Sequence, residues 1–143
     1  MARYTTTIRT PWPAEKAFDY MADLRNFERW DPGVASSRLV IGDGPALGSA
    51  YDVKVTGTEL RYFTREFQRP NRTVAEAESK RLRSYDVIEV VPRGDGCDVK
   101  YDATLELKGL FALAEPAMRL IFTRIGDKAA AGMAEALDGE KIA

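Results

Sequence analysis

A chain of 143 residues is long enough to fold as one domain around its own apolar core, without disulfide or metal support. Its formal net charge of -1, with 30% charged residues, argues against a global attraction to nucleic acid or an anionic membrane. Histidine is absent, which removes Ser-His and Cys-His nucleophiles and imidazole-dependent zinc sites, and the lone Cys97 cannot form an internal disulfide.

In chain order, Tyr4, Thr6, Ile8 and Thr10 alternate with Thr5, Thr7 and Arg9, the pattern of a half-buried strand. Pro11-Trp12-Pro13 ends it, and Pro13 suits the first turn of a helix whose apolar face is Ala14, Ala17, Phe18 and Met21. Asp23 is a good N-cap for a second short helix, Leu24 to Trp30, stopped by Pro32-Gly33. Strands are then predicted at Val34 to Ile41, Ser49 to Thr56, Leu60 to Gln68, Thr73 to Ser79, Leu82 to Val91 and Cys97 to Leu107. The turns between them are short, so neighbours should pair antiparallel, giving a sheet of about seven strands. From Leu110 the period changes: Phe111, Ala114, Met118, Ile121, Phe122, Ile125, Ala129, Met133 and Ala136 form an amphipathic helical stripe. Pro116 marks either the start of that helix or a kink after a lead-in turn. Such a stripe is ordinarily core, and a cavity requires the sheet to curve away from the helix. The class is α+β, with residues 1–143 as a single domain.

Period-2 phasing turns Tyr51, Val53 and Val55 inward, together with Val99, Tyr101, Ala103 and Leu105. Thr73, Ala75 and Ala77 offer small side chains that leave space for a pocket. In the strand at 60–68, Leu60, Tyr62, Thr64 and Glu66 oppose Arg61, Phe63, Arg65 and Phe67; in that at 82–91, Asp86, Ile88 and Val90 oppose Tyr85, Val87 and Glu89. Counting leaves both phases open. If the first set faces inward in each, Glu66 and Asp86 stand beside Tyr51, Tyr62 and Tyr101, where an apolar cavity raises a carboxyl pKa toward acid–base use. In the plainer reading Glu66 lies at an open strand end and Asp86 pairs with an arginine. The candidate ligand-binding set is therefore Tyr51, Val53, Tyr62, Ala75, Asp86, Ile88, Tyr101 and Ala103, with Met118 and Phe122 from the helix. Asp86 and Glu66 are the candidate catalytic groups.

Other features carry less. Gly42-Asp43-Gly44-Pro45 precedes a strand rather than opening a helix, so it reads as a turn, not a phosphate loop. Cys97 reads as an ordinary half-buried thiol with no visible base. Arg61, Arg65, Arg69, Arg72, Lys80, Arg81 and Arg83 form a local basic stretch, balanced by Glu59, Glu66, Glu76 and Glu78 on a solvated face. No run approaches the ~20 apolar residues of a membrane span, and no secretion signal opens the chain, so a cytoplasmic protein without stable membrane insertion is expected.

The segments Pro13-Ala14-Glu15-Lys16-Ala17-Phe18, Asp23 to Pro32, Gly94-Asp95-Gly96-Cys97-Asp98-Val99-Lys100-Tyr101 and Leu107-Lys108-Gly109 leading to Glu115-Pro116 carry a resemblance. The chain resembles the START/Bet v 1-like (SRPBCC) superfamily, in its polyketide cyclase/dehydrase and lipid transport group, over nearly its whole length. The resemblance implies a helix-grip fold: an antiparallel sheet curled around the long C-terminal helix, two short helices after the first strand, and a cavity for a hydrophobic molecule. It implies binding or carriage of a lipid, isoprenoid, quinone or polyketide-like compound. The alternatives are a cyclase/dehydratase using cavity carboxylates and tyrosines, and a regulatory or stress-related interaction protein using the basic strand face. No cofactor, metal or nucleic acid is implied, and a monomer or weak homodimer is expected.

Overall fold

The computed structural model describes residues 1–143. The first strand, β1, spans Ala2–Thr10; its alternate residues Ala2, Tyr4, Thr6, Ile8 and Thr10 are buried while Arg3, Thr5 and Arg9 are exposed. Helix α1, Ala14–Ala22, begins directly after Pro13 and buries Ala14, Ala17, Phe18 and Met21 at helical spacing. The Asp23 carboxylate accepts from the Arg25 amide and opens a tight 3-10 turn, Leu24–Asn26, that runs into the short helix α2, Phe27–Trp30. The single helix expected there is thus two shorter pieces, a 3-10 turn and one α-helical turn.

The strands β2 (Val34–Ile41), β3 (Ala50–Val55), β4 (Thr58–Gln68), β5 (Arg72–Glu78), β6 (Leu82–Arg93) and β7 (Gly96–Leu107) follow. A 3-10 turn, Gly109–Ala114, leads into helix α3, Glu115–Ala136, with Pro116 in its first turn. Both sequence alternatives for Pro116 are thereby combined: a lead-in turn, then a helix starting at the proline. A two-residue strand, β8 (Glu140–Lys141), completes one antiparallel sheet in the order β2-β3-β4-β5-β6-β7-β1-β8. The count is eight rather than about seven because the C-terminus returns to β1, setting Ile8 opposite Lys141. Two residues are too few to show a period, so β8 left no sequence signal.

The core lies between the inner sheet face and the helices, with Phe18, Met21, Trp30, Val53, Val99 and Met133 nearly inaccessible. Helix α3 is packed unevenly. Its C-terminal half buries Gly126, Ala129, Ala130 and Met133, whereas Leu120 is 74% exposed and Leu110 in the lead-in turn is 85% exposed. The stripe expected as core is core only in its second half; Phe111, Ile121 and Ile125 stay substantially exposed. Gly126 and Gly132 explain the tilt. A Cβ on Gly132 would collide with the Trp30 carbonyl, and one on Gly126 with the Tyr4 ring, so bare backbone lets this end press onto α2 and β1. The other end stands off the sheet.

The basic stretch forms ion pairs across the outer face. Arg61 donates to Asp52 at 2.8 Å, Arg65 and Arg83 share Glu76, and Arg72 bridges Glu66 and Glu89. Arg69 holds Asp19, and Lys108 holds Glu78. Arg61 and Arg65, the centre of the expected cationic face, are therefore each held in an ion pair.

Candidate functional site

Side chains line up in rows across the inner face because the antiparallel strands are in register. In one row Tyr62 on β4, Ala77 on β5, Ser84 on β6 and Leu105 on β7 are neighbours. Ala77 is only a methyl, and across it the Tyr62 hydroxyl donates to Ser84 Oγ at 2.8 Å. In the next row Thr64, Ala75, Asp86, Ala103 and Tyr4 are neighbours, so Asp86 has an alanine on either side. Tyr101 lies diagonally across on β7 and donates to Asp86 Oδ2 at 3.2 Å. Both open phases are decided by these contacts: Leu60, Tyr62 and Thr64 face inward on β4, as do Ser84, Asp86, Ile88 and Val90 on β6.

Glu66 does not follow Thr64 inward. Thr64 opposes Ala75 but Glu66 opposes Val74, so Arg65 is an extra residue that bulges β4. One inserted residue reverses the alternation beyond it. Phe67 then turns in to meet Phe18 edge-on at 5.4 Å, and Glu66 accepts from Arg72 on the outside. It is no part of the site.

Between these rows and the raised half of α3 lies a cavity of about 420 Å³, within the range of small-molecule sites. The sheet contributes Val55, Leu60, Tyr62, Leu82, Ser84, Asp86, Tyr101, Ala103 and Leu105, and β1 contributes Tyr4. Helix α3 contributes Met118, Ile121, Phe122, Ile125, Gly126 and Ala129, while Phe27 and Asp31 close the end beneath α2. Phe27 stacks on Trp30 at 4.8 Å, and Trp30 meets Tyr101 edge-on at 5.4 Å, fixing that end wall.

Of the residues singled out in the sequence, Tyr62, Asp86, Tyr101, Ala103, Met118 and Phe122 line this cavity. Ala75 and Ile88 instead border a crevice of about 10 Å³ beneath Trp30, walled off by Asp86 and Tyr101. Tyr51 and Val53 face inward but are fully buried in packed core, Tyr51 beside the Leu24–Arg25 turn. Cys97 is fully rather than half buried, and burial pushes its thiol pKa up, which disfavours the nucleophilic thiolate. Asp31, Ser84, Leu82 and Tyr4 were missed. Tyr4 and Ser84 were reachable by phase, Tyr4 from Ile8 and Ser84 from Asp86; Asp31 sits in a turn, where no period applies.

The electrostatics follow from burial. Asp86 is 7% exposed, and desolvation pushes its pKa up to about 7, with Tyr101's hydrogen bond opposing the shift and Asp31 and Asp102 adding to it. Asp31 is also raised by burial, against the hydrogen bond it accepts from the Gly33 amide at 2.9 Å. Burial, then the neighbouring Asp86, raises both Tyr62 and Tyr101, so their hydroxyls stay protonated. Such a wall can hydrogen-bond a polar group and exchange a proton near neutral pH. No cluster of three or more Cys, Asp or Glu side chains offers a metal site, and no helix is long and apolar enough to cross a membrane.

Comparison with known proteins gives a consistent frame. The family model described as polyketide cyclase / dehydrase and lipid transport matches residues 1–138. No curated protein matches the chain. Among solved structures, a START superfamily protein from Mycobacterium smegmatis superposes with a TM-score of 0.72 at 14% identity, covering 96% of this chain and 98% of that one. The protein XoxI from Bacillus cereus gives 0.70 at 16% identity, covering 96% of each chain. Ara h 8.0201 gives 0.62 at 14% identity, covering 95% of this chain and 97% of that one. At these identities the likeness is one of fold.

Proposed function

Because the chain belongs to the polyketide cyclase / dehydrase and lipid transport family, we propose that it binds and carries a small hydrophobic molecule in the cavity under helix α3. Proteins of this fold bind hydrophobic ligands. The observation that carries the reading is the lining itself: 14 of its 21 residues are hydrophobic, with the Asp86–Tyr101 and Tyr62–Ser84 pairs set among them. Burying the ligand's apolar body supplies the affinity, at about 25 cal/mol per Å² before ordering is subtracted, and the polar pairs orient its head. The exposed half of α3, with Ile121 and Ile125 both on the cavity wall and open to solvent, gives the ligand a way in.

Ala103 tests this directly, since its methyl faces the cavity between Asp86 and Tyr4. Ala103→Leu should weaken binding of a neutral apolar fluorescent dye by about tenfold while the circular dichroism spectrum is unchanged. Undiminished dye binding by the variant, or no binding by the parent protein, would overturn the reading.

A second reading is an enzyme of the cyclase or dehydratase type, favoured by a buried carboxyl that titrates near pH 7 against a tyrosine. Asp86 would take a proton from a carbon between two carbonyls, and a tyrosine hydroxyl would hydrogen-bond the enolate oxygen. Asp86→Asn would then lower turnover of a poly-β-carbonyl substrate by about a hundredfold or more. Unchanged turnover in that variant would sink the enzyme reading.

A further inference from the structure

We infer that the molecule held in this cavity presents a hydrogen-bond donor at its polar end, with a protonated amine fitting best and an ionised carboxylic acid fitting worst. This rests on the carrier reading and narrows it. The cavity lining contains two carboxyl side chains, Asp31 and Asp86, and no lysine or arginine; the chain has no histidine. Both carboxyls are more than nine-tenths buried, being 8% and 7% exposed. Each has only one oxygen satisfied by the protein. Asp31 Oδ1 accepts from the Gly33 amide and Asp86 Oδ2 from the Tyr101 hydroxyl, whereas Asp31 Oδ2 and Asp86 Oδ1 accept nothing from the protein.

Neither oxygen is sealed off: both belong to side chains that open onto the cavity, where an acceptor in apolar surroundings favours a donor. In the ligand-free protein the nearby phenols do not supply it, because their protons go elsewhere: Tyr62 to Ser84, Tyr101 to the other Asp86 oxygen, and Tyr4 to Asp127. An alkylammonium brings three N–H donors and a positive charge to the cavity that both carboxyls line, and offsets the repulsion between Asp31 and Asp86. An alcohol brings one donor and no charge. A carboxylate ligand brings only acceptors and a negative charge into a wall that offers no cation, so it must be protonated or stay out.

The pH dependence follows. Asp31, Tyr62, Tyr101 and, from the far face of β7, Asp102 are the groups acting on Asp86, and none is cationic. Asp86 therefore holds a proton up to about pH 7. Below that, an ammonium must displace the proton, so its affinity should fall by up to about tenfold per pH unit, while that of an alcohol should not change.

Decylamine, decanol and decanoate carry the same chain length with three different heads, and each can be titrated against protein-bound N-phenyl-1-naphthylamine at pH 8. The amine should displace the dye at least about tenfold more tightly than the alcohol, and decanoate least well. In Asp86→Asn and in Asp31→Asn the amine-to-alcohol ratio should collapse, two independent variants guarding against one that fails to fold. Displacement by decanoate as good as that by decylamine overturns this inference and leaves the carrier reading standing. Displacement by none of the three overturns both.

Discussion

Asp86→Asn should make the protein more stable at pH 8, although it removes a hydrogen-bonded side chain from the interior. In the folded state burial holds the Asp86 pKa at about 7, against about 3.9 in an unfolded chain. Between those values the native state binds the proton more strongly, so the group's contribution to stability declines as pH rises from about 4 to about 7. Above 7 the folded protein carries a desolvated carboxylate, a penalty on the order of 4 kcal/mol by linkage. Asparagine carries no charge at any pH, and its carbonyl can still accept from Tyr101. Urea unfolding should therefore show the variant gaining roughly 2–4 kcal/mol at pH 8 and little at pH 4. A gain that does not depend on pH, or a loss at pH 8, would show that Asp86 is not held protonated by burial. The same penalty makes a cationic head group stabilising when bound, which ties this measurement to the amine preference.

Gly132→Ala should have the opposite sign from its helix propensity. Gly132 lies inside α3, where alanine is ordinarily better than glycine by about 1 kcal/mol. Here the added methyl would collide with the main-chain carbonyl of Trp30, which no rotamer change can move aside. Overpacking against backbone forces α3 away from α2, with a loss of about 3 kcal/mol or more. The midpoint of urea unfolding should drop accordingly. A midpoint equal to or above that of the parent protein would mean that α3 does not rest on the Trp30 backbone.

These two positions show where sequence reasoning reaches and where it stops. Alternation located every strand from β1 to β7, because a sheet with one packed face imposes a two-residue period on its sequence. The same alternation identified Tyr101 and Ala103 as inward, and they line the cavity, whereas it left Tyr62 undecided until the strand pairing fixed its side. It failed at Glu66, where a bulge centred on Arg65 inserts one residue and inverts everything after it. A bulge of this kind has no composition of its own here. Tyr51 shows a different limit. Its phase was right, but the turn after α1 lies against it, so facing inward did not mean facing the cavity.

By itself, then, the amino-acid order determined the order of elements from β1 to α3, the antiparallel pairing of consecutive strands and the inward phase of β3, β5 and β7, since these depend on residues a few positions apart. It also placed Phe18, Met21, Phe27 and Trp30 on the buried faces of the small helices. Only the tertiary structure decided which inner residues meet empty space. That depends on how α3 crosses the sheet, and the crossing is set by contacts of Gly126 with Tyr4 and Gly132 with Trp30, each about a hundred residues or more apart in sequence. The close approach at those glycines raises the other half of the helix, opens the cavity, and leaves Asp31 and Asp86 as the two carboxyls in its wall. Separation along the chain is what hid this from the sequence: periodicity reports which side a residue faces, not what stands opposite it.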